Sequence, residues 1–267
     1  MTHPQIQRWK TLYTQTKNCL CIGIDPTLHS IPTGYSETIS GLTEFLSDFI
    51  QISQEYCIAF KPNISFFEAL GIEGLQCLET ICKTVQQRVP IIMDAKRGDI
   101  GNTSAMQARY IFDYFNADAV TLHPYMGLDS LEPFFKYQDK FHFVLGLTSN
   151  PGSRDFEESE LNSGKTLASH VIETLSHWNK QFHNIGVVVG ATEQKLATVR
   201  AIDPSLLFLI PGVGAQGGTY HSAYEQGKNT NDLALVNASR AIMGAIQSKS
   251  SIKNDIRNAI QALTKPL

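Results

Sequence analysis

Residues 90–103 of the chain read PIIMDAKRGDIGNT, an apolar run that ends in four charged residues within six positions. Such a run predicts a buried β-strand, and residues two apart on a strand share a face. Asp94 and Lys96 are therefore expected to point in the same direction at the strand end. Charges at the end of a buried strand cost folding free energy and are therefore usually kept for a function. This favours a functional site over a salt-bridged surface hairpin.

The order of strand, turn and helix in this stretch recurs along the chain. Here Gly98 allows the backbone to turn, and either Asp99 or Asn102 can begin the following helix. Seven other apolar runs have strand character, at residues 19–26, 56–62, 119–123, 143–149, 185–190, 206–211 and 233–236. Amphipathic patterns predict helices at residues 42–50, 75–85, 106–115, 128–137, 163–178 and 192–202, and a further helix closes the chain.

Eight strands that alternate with helices, with no break in composition, predict an α/β fold, a (β/α)₈ TIM barrel. A doubly wound open sheet is the alternative, and strand count is the main feature that separates the two. Neither a linker nor a second domain is predicted, so residues 1–267 are expected to form one domain. Residues 4–16 have the pattern of a short helix, and residues 1–17 are expected to form an outer N-terminal helix outside the main fold.

Composition limits the classes of function. The 267 residues are 42% hydrophobic and carry a formal net charge of −3, with no basic cluster for a nucleic-acid polymer. The five cysteines lack CxxC and metal-binding spacings, which indicates reduced core thiols in a reducing compartment. No apolar stretch reaches the roughly 18 residues of a membrane helix, and the N-terminus lacks a signal-peptide core. These features predict a soluble, cytoplasmic protein without nucleic-acid or membrane partners.

Polar residues lie at the predicted strand ends, where the active sites of (β/α)₈ barrels are found. Strand seven runs into residues 211–218, PGVGAQGG, which include Gly217, and strand eight runs into Arg240. Loops after these two strands commonly hold a phosphate through backbone N–H groups, although a glycine-rich loop can also be an ordinary flexible turn. Residues 217–232 lack periodicity, so residues 211–232 are predicted to form a phosphate-binding lid loop. The strand-end residues are Asp25, Lys61, Asp94, Lys96, His123, Ser149 and Arg240.

Lysines and aspartates among these residues are expected to meet in one pocket with Asp99. A lysine flanked by carboxylates stays an ammonium ion, which disfavours a Schiff base. Held rigidly, it can stabilise a carbanion and then protonate it, while a neighbouring carboxylate repels an anionic group of the substrate. The alternatives are a turn acid for Asp25 and a rim residue for Lys61, and His123 is given no role.

Residues 94–100, DAKRGDI, resemble the signature of the orotidine 5′-phosphate decarboxylase family, and the resemblance extends from Asp25 to Arg240. Residues 148–152, TSNPG, and the chain length are similar to the longer bacterial branch of that family. The resemblance implies a lyase that converts orotidine 5′-monophosphate (OMP) to UMP and CO₂ in de novo pyrimidine biosynthesis. It also implies that neither a metal nor an organic cofactor takes part.

The resemblance implies roles for individual residues. Lys96 would stabilise and protonate a carbanion at C6 of the pyrimidine, within a catalytic set of Lys96, Asp94, Asp99 and Lys61. Asp99 and Thr103 would reach into the site of a neighbouring subunit, which implies a homodimer with shared active sites. The implied substrate positions are Asp25 and Lys61 for the ribose, Ser149 with Asn150 beside it for the pyrimidine, Pro211 for ring packing, and Gln216, Gly217 and Arg240 for the lid and phosphate. Residues 150–163 are least like the shorter family members.

Two other functions share parts of this pattern. Sugar-phosphate decarboxylases and aldolases of the same superfamily also resemble the chain in an Asp-x-Lys-x-x-Asp on strand three. Those enzymes bind Mg²⁺ and place an acid at the end of strand two, where this chain has Lys61, which would repel a metal. A catalytically silent nucleotide-binding protein is the second alternative, and the intact set of charged positions argues against it.

Overall fold

A closed barrel of parallel strands forms the centre of the molecule in the computed structural model, which describes residues 3–85, 88–213 and 218–265. The strands are β1 (Leu20–Ile24), β2 (Ala59–Pro62), β3 (Ile92–Arg97), β4 (Ala119–Leu122), β5 (Phe141–Leu147), β6 (Ile185–Val189), β7 (Phe208–Ile210) and β8 (Leu235–Ala238). They are ordered β2-β1-β8-β7-β6-β5-β4-β3, and the end strands meet through bridges from Phe60 to Ile91 and from Asn63 to Asp94. The predicted barrel is therefore confirmed, because a doubly wound sheet would leave two separated edges.

Helices surround this barrel and follow most of its strands. They are α1 (Pro4–Thr16), α2 (Ile39–Ser53), α3 (Ile64–Glu68), α4 (Gly71–Val85), α5 (Gly101–Arg109), α6 (Leu128–Phe135), α7 (Ser153–Phe156), α8 (Leu167–Phe182), α9 (Glu193–Ile202), α10 (Tyr220–Gly227), α11 (Arg240–Met243) and α12 (Ile252–Thr264). A π-helical turn, Tyr110–Tyr114, extends α5. Within the described ranges, none of these helices is long and apolar enough to cross a membrane.

Both faces of the strands are buried, which explains why the strands read as continuous apolar runs in the sequence. Leu20, Ile22 and Ile24 of β1 pack in the core between the sheet and the helices. Cys19 and Cys21 pack in a second core inside the barrel. All five cysteines are buried and free of disulfides, so the expected core thiols are confirmed. Burial raises the pKa of the Cys21 thiol to about 12.

Helix α1 matches its predicted bounds, but the expectation that it lies outside the main fold is wrong. Trp9 is fully buried in the barrel-interior core, where its ring meets Phe141 edge-on at 5.3 Å between centroids. Arg8 Nη1 donates to Asp118 Oδ1 at 2.7 Å, which ties the same helix to the loop before β4. The helix therefore closes the N-terminal end of the barrel and contributes to its core.

Several other boundaries differ from the predicted ones. Helix α5 begins at Gly101 without a side-chain cap, so neither Asp99 nor Asn102 opens it, and the Asp99 carboxylate instead accepts from the N–H of Ile100. Residues 217–232 were expected to lack regular structure, yet α10 lies within them and Thr219 caps its N-terminus. Strand β8 begins two residues later than predicted, and the polar loop after β5 contains the short helix α7.

Candidate active site

Two adjoining cavities open at the C-terminal ends of the strands, where the active sites of such barrels lie. The central cavity has a volume of about 230 Å³ and is lined mainly by β3 to β7. The lateral cavity, about 610 Å³, extends from there towards β1 and β8. The two cavities share four lining residues, Lys61, Asp94, Pro211 and Gly212. One elongated ligand can therefore occupy both at once.

A carboxylate held between two ammonium groups lies where the cavities meet. Lys61 Nζ donates to Asp94 Oδ2 at 2.5 Å, and Lys96 Nζ donates to Asp94 Oδ1 at 2.6 Å. The side chains of Lys61 and Asp94 are 6% and 9% exposed, whereas that of Lys96 is 51% exposed. Lys61 is thus fixed in the barrel, and Lys96 is the ammonium group that faces the open cavity.

The charges of this cluster determine the ionisation of its two buried members. Burial alone would raise the pKa of Asp94, but the opposing charges of Lys61 and Lys96 hold that pKa well below its ordinary value. Burial likewise acts to lower the pKa of Lys61, and Asp94 outweighs it, so the pKa of Lys61 lies above its usual value. Lys61 and Asp94 therefore form a charged, buried ammonium–carboxylate pair at neutral pH, and Lys96 contacts the same carboxylate at 2.6 Å.

Strand β3 is irregular where it presents these side chains. Lys96 has a φ of 45°, in the left-handed region that residues with side chains rarely adopt. The hydroxyl of Thr121 on β4 accepts hydrogen bonds from the backbone N–H groups of Ala95 and Lys96, both at 3.0 Å. The same hydroxyl donates to Asp94 Oδ1 at 2.9 Å. Asp94 and Lys96 do converge as expected, but through this turn and not through regular strand alternation.

The loop after β5 forms one wall of the central cavity and is held by part-buried polar contacts. The carboxylate of Glu157 accepts from the N–H of Thr148 at 2.7 Å and from its hydroxyl at 2.8 Å. Lys195 Nζ on α9 donates to the Thr148 carbonyl at 2.6 Å. A Cβ at Gly190 would lie 2.7 Å from Ser149 Cβ, so glycine there lets the loop approach β6 closely. Ser149 and Asn150 are thereby placed at the cavity wall.

The lateral cavity offers polar atoms that have no partner within the described chain. Asp25 Oδ1 and Asn237 Oδ1 are buried without a hydrogen bond to any described residue. Arg240 is exposed at the side of the same cavity, at the start of α11. Acceptors deep in a cavity and a cation at its mouth suit a ligand that combines hydroxyl groups with an anionic end.

A sequence profile described as the orotidine 5′-phosphate decarboxylase / HUMPS family matches residues 18–254. The chain belongs to this family. An orotidine 5′-phosphate decarboxylase of Dehalococcoides mccartyi is 41% identical over 271 aligned residues, which cover 97% of this chain and 98% of that protein. One from Flavobacterium johnsoniae is 42% identical over 235 residues, covering 86% and 85%. The structure of Leishmania donovani OMP decarboxylase gives a TM-score of 0.82 at 33% identity, with 98% of both chains covered.

The family resemblance carried by residues 94–100 is thereby confirmed, and with it the prediction of an enzyme of the carboxy-lyase class. Most of the candidate site residues lie together in this member of the orotidine 5′-phosphate decarboxylase family. The residues that line one or both cavities are Asp25, Lys61, Asp94, Lys96, Ser149, Asn150, Pro211 and Arg240.

Two further candidates, Asp99 and Thr103, do not join that group. Asp99 is half-buried, Thr103 is exposed, and neither lines the two cavities. The expectation that Asp99 shares a pocket with Lys96 is therefore wrong within a single chain. Gln216 and Gly217 lie outside the described residues. The lid and phosphate roles assigned to these two residues stay predictions.

Sequence reasoning missed some of the residues that the structure brings to the site. Thr121 is the clearest case. The sequence offered a signal for it, because residues two apart on a strand share a face and Thr121 lies two residues before the strand-end residue His123. His123 itself lines neither cavity and instead packs against Gly98, where a Cβ would lie 3.0 Å from its ring. The other unpredicted lining residues include Asn63, Leu145, Val188, Leu209, Asn237 and Ser239.

Proposed function

We propose that the protein decarboxylates OMP to UMP and CO₂ in pyrimidine biosynthesis, with no metal and no organic cofactor. The observation that carries this proposal is the ionised Asp94 held between Lys61 and Lys96 at the meeting point of two cavities. Membership in the orotidine 5′-phosphate decarboxylase / HUMPS family and relatives of that activity over nearly the whole chain support it.

In the proposed reaction, the substrate carboxylate lies beside Asp94, and the repulsion between two carboxylates is relieved when CO₂ departs. The bond from C6 to the carboxyl carbon breaks, and its electron pair stays on C6. The Lys96 ammonium group stabilises that carbanion and then transfers a proton from Nζ to C6. The neutral amine regains a proton from solvent, which the half-exposed position of Lys96 allows.

The two cavities suit the two parts of the nucleotide. We assign the pyrimidine to the central cavity, between Ser149, Asn150 and Pro211. The ribose hydroxyls donate to Asp25, whose Oδ1 has no partner among the described residues, and also meet Lys61. The phosphate lies at the mouth of the lateral cavity, where Arg240 provides a bidentate cation.

We further propose a homodimer in which Asp99 and Thr103 complete the site of the partner subunit. Both residues lie after β3, outside the cavities of their own chain. Large apolar side chains in the same region are exposed, and such patches on single chains often mark an interface. These exposed side chains are Ile100, Met106, Tyr125 and Met126.

The magnesium-dependent alternative fits these residues poorly. The ammonium group of Lys61 stands at the end of β2, 2.5 Å from Asp94 Oδ2, where a bound cation would be repelled. Across the described ranges, no group of three or more histidine, cysteine, aspartate or glutamate residues is arranged to hold a metal ion. The net charge of −3 and the lack of a basic cluster favour a small-molecule substrate over a nucleic-acid partner. The five buried, free cysteines support the proposal that the protein works in the cytoplasm, a reducing compartment.

The proposal is tested by following OMP in D₂O by proton NMR. We expect UMP that carries deuterium at C6, because the protons of the Lys96 ammonium group exchange with solvent before transfer. Lys96→Met should form no UMP, whereas Lys253→Met, which removes an exposed lysine on α12, should match the wild type. Binding of OMP without any product would instead identify a silent nucleotide-binding protein.

A further inference from the structure

The hydrogen-bond ladder between β3 and β4 has a gap beside the charged cluster. Met93 pairs with Val120 and Arg97 pairs with Leu122, so the chain advances four residues on β3 against two on β4. Ala95 and Lys96 belong to the extra residues of β3 between these two pairs, and they have no Cα partner on β4. Their backbone N–H groups nevertheless point to β4, in part-buried positions where a donor without an acceptor costs free energy.

The Thr121 side chain fills this gap. Its hydroxyl oxygen accepts from both N–H groups, each at 3.0 Å. A hydroxyl has two acceptor lone pairs and one proton, so these contacts leave only the proton to be placed. That proton goes to Asp94 Oδ1 at 2.9 Å, and every hydrogen-bonding position of the group is then in use. Thr121 is 2% exposed, so water cannot easily take its place.

The backbone that Thr121 holds is the one that aims Lys96. Lys96 has a φ of 45°, a conformation that residues with a side chain adopt only when their surroundings impose it. This turn places Lys96 Nζ at 2.6 Å from Asp94 Oδ1, the same oxygen that accepts from Thr121. The other oxygen of Asp94 is left for Lys61. One hydroxyl group thus fixes both the backbone of Lys96 and the orientation of the Asp94 carboxylate.

We propose that Thr121 is a positioning residue for the proton-donating lysine, an inference that rests on the proposed function. It holds Lys96 and Asp94 in the geometry that the carbanion requires, and it does not itself bind the substrate. Removing the hydroxyl should therefore lower kcat and leave KM nearly unchanged. A misplacement on the order of 1 Å can lower a rate by about 100-fold.

The experiment compares Thr121→Val, which keeps the shape and loses the hydroxyl, with Thr121→Ser, which keeps the hydroxyl. We expect kcat for OMP to fall by about 100-fold or more in Thr121→Val, with KM within about 3-fold of wild type. Thr121→Ser should retain kcat within about 10-fold. Ser53→Ala is the control, because it also removes a fully buried hydroxyl, in this case on α2 and away from both cavities. This control should lower Tm without changing kcat.

Amide hydrogen exchange of residues 92–97, read in the same samples, does not depend on turnover. It should be slow in the wild type and in Thr121→Ser and fast in Thr121→Val. If the wild type forms no UMP, the proposed function fails, and the exchange data still decide whether Thr121 holds this backbone. If Thr121→Val does not fold, Thr121→Cys, whose thiol is a weak acceptor, is judged by the same criteria.

Three results would overturn the proposal. The first is a wild-type kcat in a folded variant that lacks the hydroxyl. The second is a loss in KM alone, which would make Thr121 a substrate contact. The third is an equal loss in Thr121→Ser and Thr121→Val, which would show that the hydroxyl is not the group that matters.

Discussion

Replacing Asp94 by asparagine should destabilise the fold far more than removing Lys96, although both changes should abolish activity. Lys61 Nζ lies 2.5 Å from Asp94 Oδ2, and both side chains are nearly buried. At an effective dielectric constant of about 20, this contact corresponds to an attraction of about 7 kcal/mol before desolvation is subtracted. Breaking a buried pair by removal of one partner leaves a net loss of about 3–5 kcal/mol, because the remaining charge stays buried and unpaired.

Lys96 provides the comparison, since it contacts the same carboxylate at 2.6 Å but is 51% exposed. Solvent screens such a pair, so Lys96→Ala should change the free energy of unfolding by only about 0–1 kcal/mol. The double variant Lys61→Met/Asp94→Asn contains no unpaired buried charge and should recover much of the stability that Asp94→Asn loses.

Urea unfolding at pH 7, followed by tryptophan fluorescence at one protein concentration, measures these differences. The buried Trp9 reports on the barrel interior. Equal losses for Asp94→Asn and Lys96→Ala would refute the reasoning, as would a double variant no more stable than Asp94→Asn. Either result would show that Asp94 is not what keeps the Lys61 charge in the barrel.

Three further predictions concern the phosphate, the subunit interface and pH. Arg240→Ala should reduce kcat/KM by about 100-fold or more for OMP and much less for orotidine, which lacks the phosphate. The control Arg257→Ala, on α12, should behave as wild type. Equal losses of kcat/KM on both substrates would exclude a phosphate role for Arg240. Lys96→Ala and Asp99→Ala should each be nearly inactive, and refolding them together in equal amounts should return about a quarter of wild-type activity, because half the dimers are mixed and each has one intact site. No recovery, when wild-type protein refolds normally, would mean that Asp99 acts in its own subunit. The pKa of Asp94 is lowered in the folded state, so the Asp94 carboxylate stabilises the fold above about pH 4 and loses this contribution as the pH falls further. The free energy of unfolding of the wild type should therefore fall more steeply than that of Asp94→Asn between about pH 4 and 2.

The barrel could be predicted from sequence because its strands are buried on both faces and so appear as uninterrupted apolar runs. The same reasoning failed for two helices. Trp9 of α1 is fully buried in the barrel-interior core, and Ile6, Leu12 and Tyr13 pack against that core at helical spacing, so the apolar face of α1 was a readable signal that it docks on the barrel. Helix α10 has eight residues, too few to show a clear period, although Thr219 at its start was a readable capping signal.

The candidate site was predictable as a set of strand-end charges, and much less so in its geometry. Period-two alternation predicted that Asp94 and Lys96 meet, but for the wrong reason, because the positive φ at Lys96 and the gap in the ladder are what bring the two side chains together. Thr121 was missed because threonine is an ordinary strand residue, and its function depends on an irregularity in the neighbouring strand. The position of Asp99 outside its own cavities depends on where the turn after β3 runs, which composition does not encode.

Turnover of OMP in excess EDTA is the most direct test of the central claim, that a lysine and aspartate cluster decarboxylates the nucleotide without a metal. The protein is incubated with OMP and EDTA, and loss of the orotate absorption is followed with and without added Mg²⁺. We predict the same rate in both conditions and no activity in Lys96→Met. Activity that disappears in EDTA and returns only with Mg²⁺ would contradict this account and favour the sugar-phosphate branch of the superfamily.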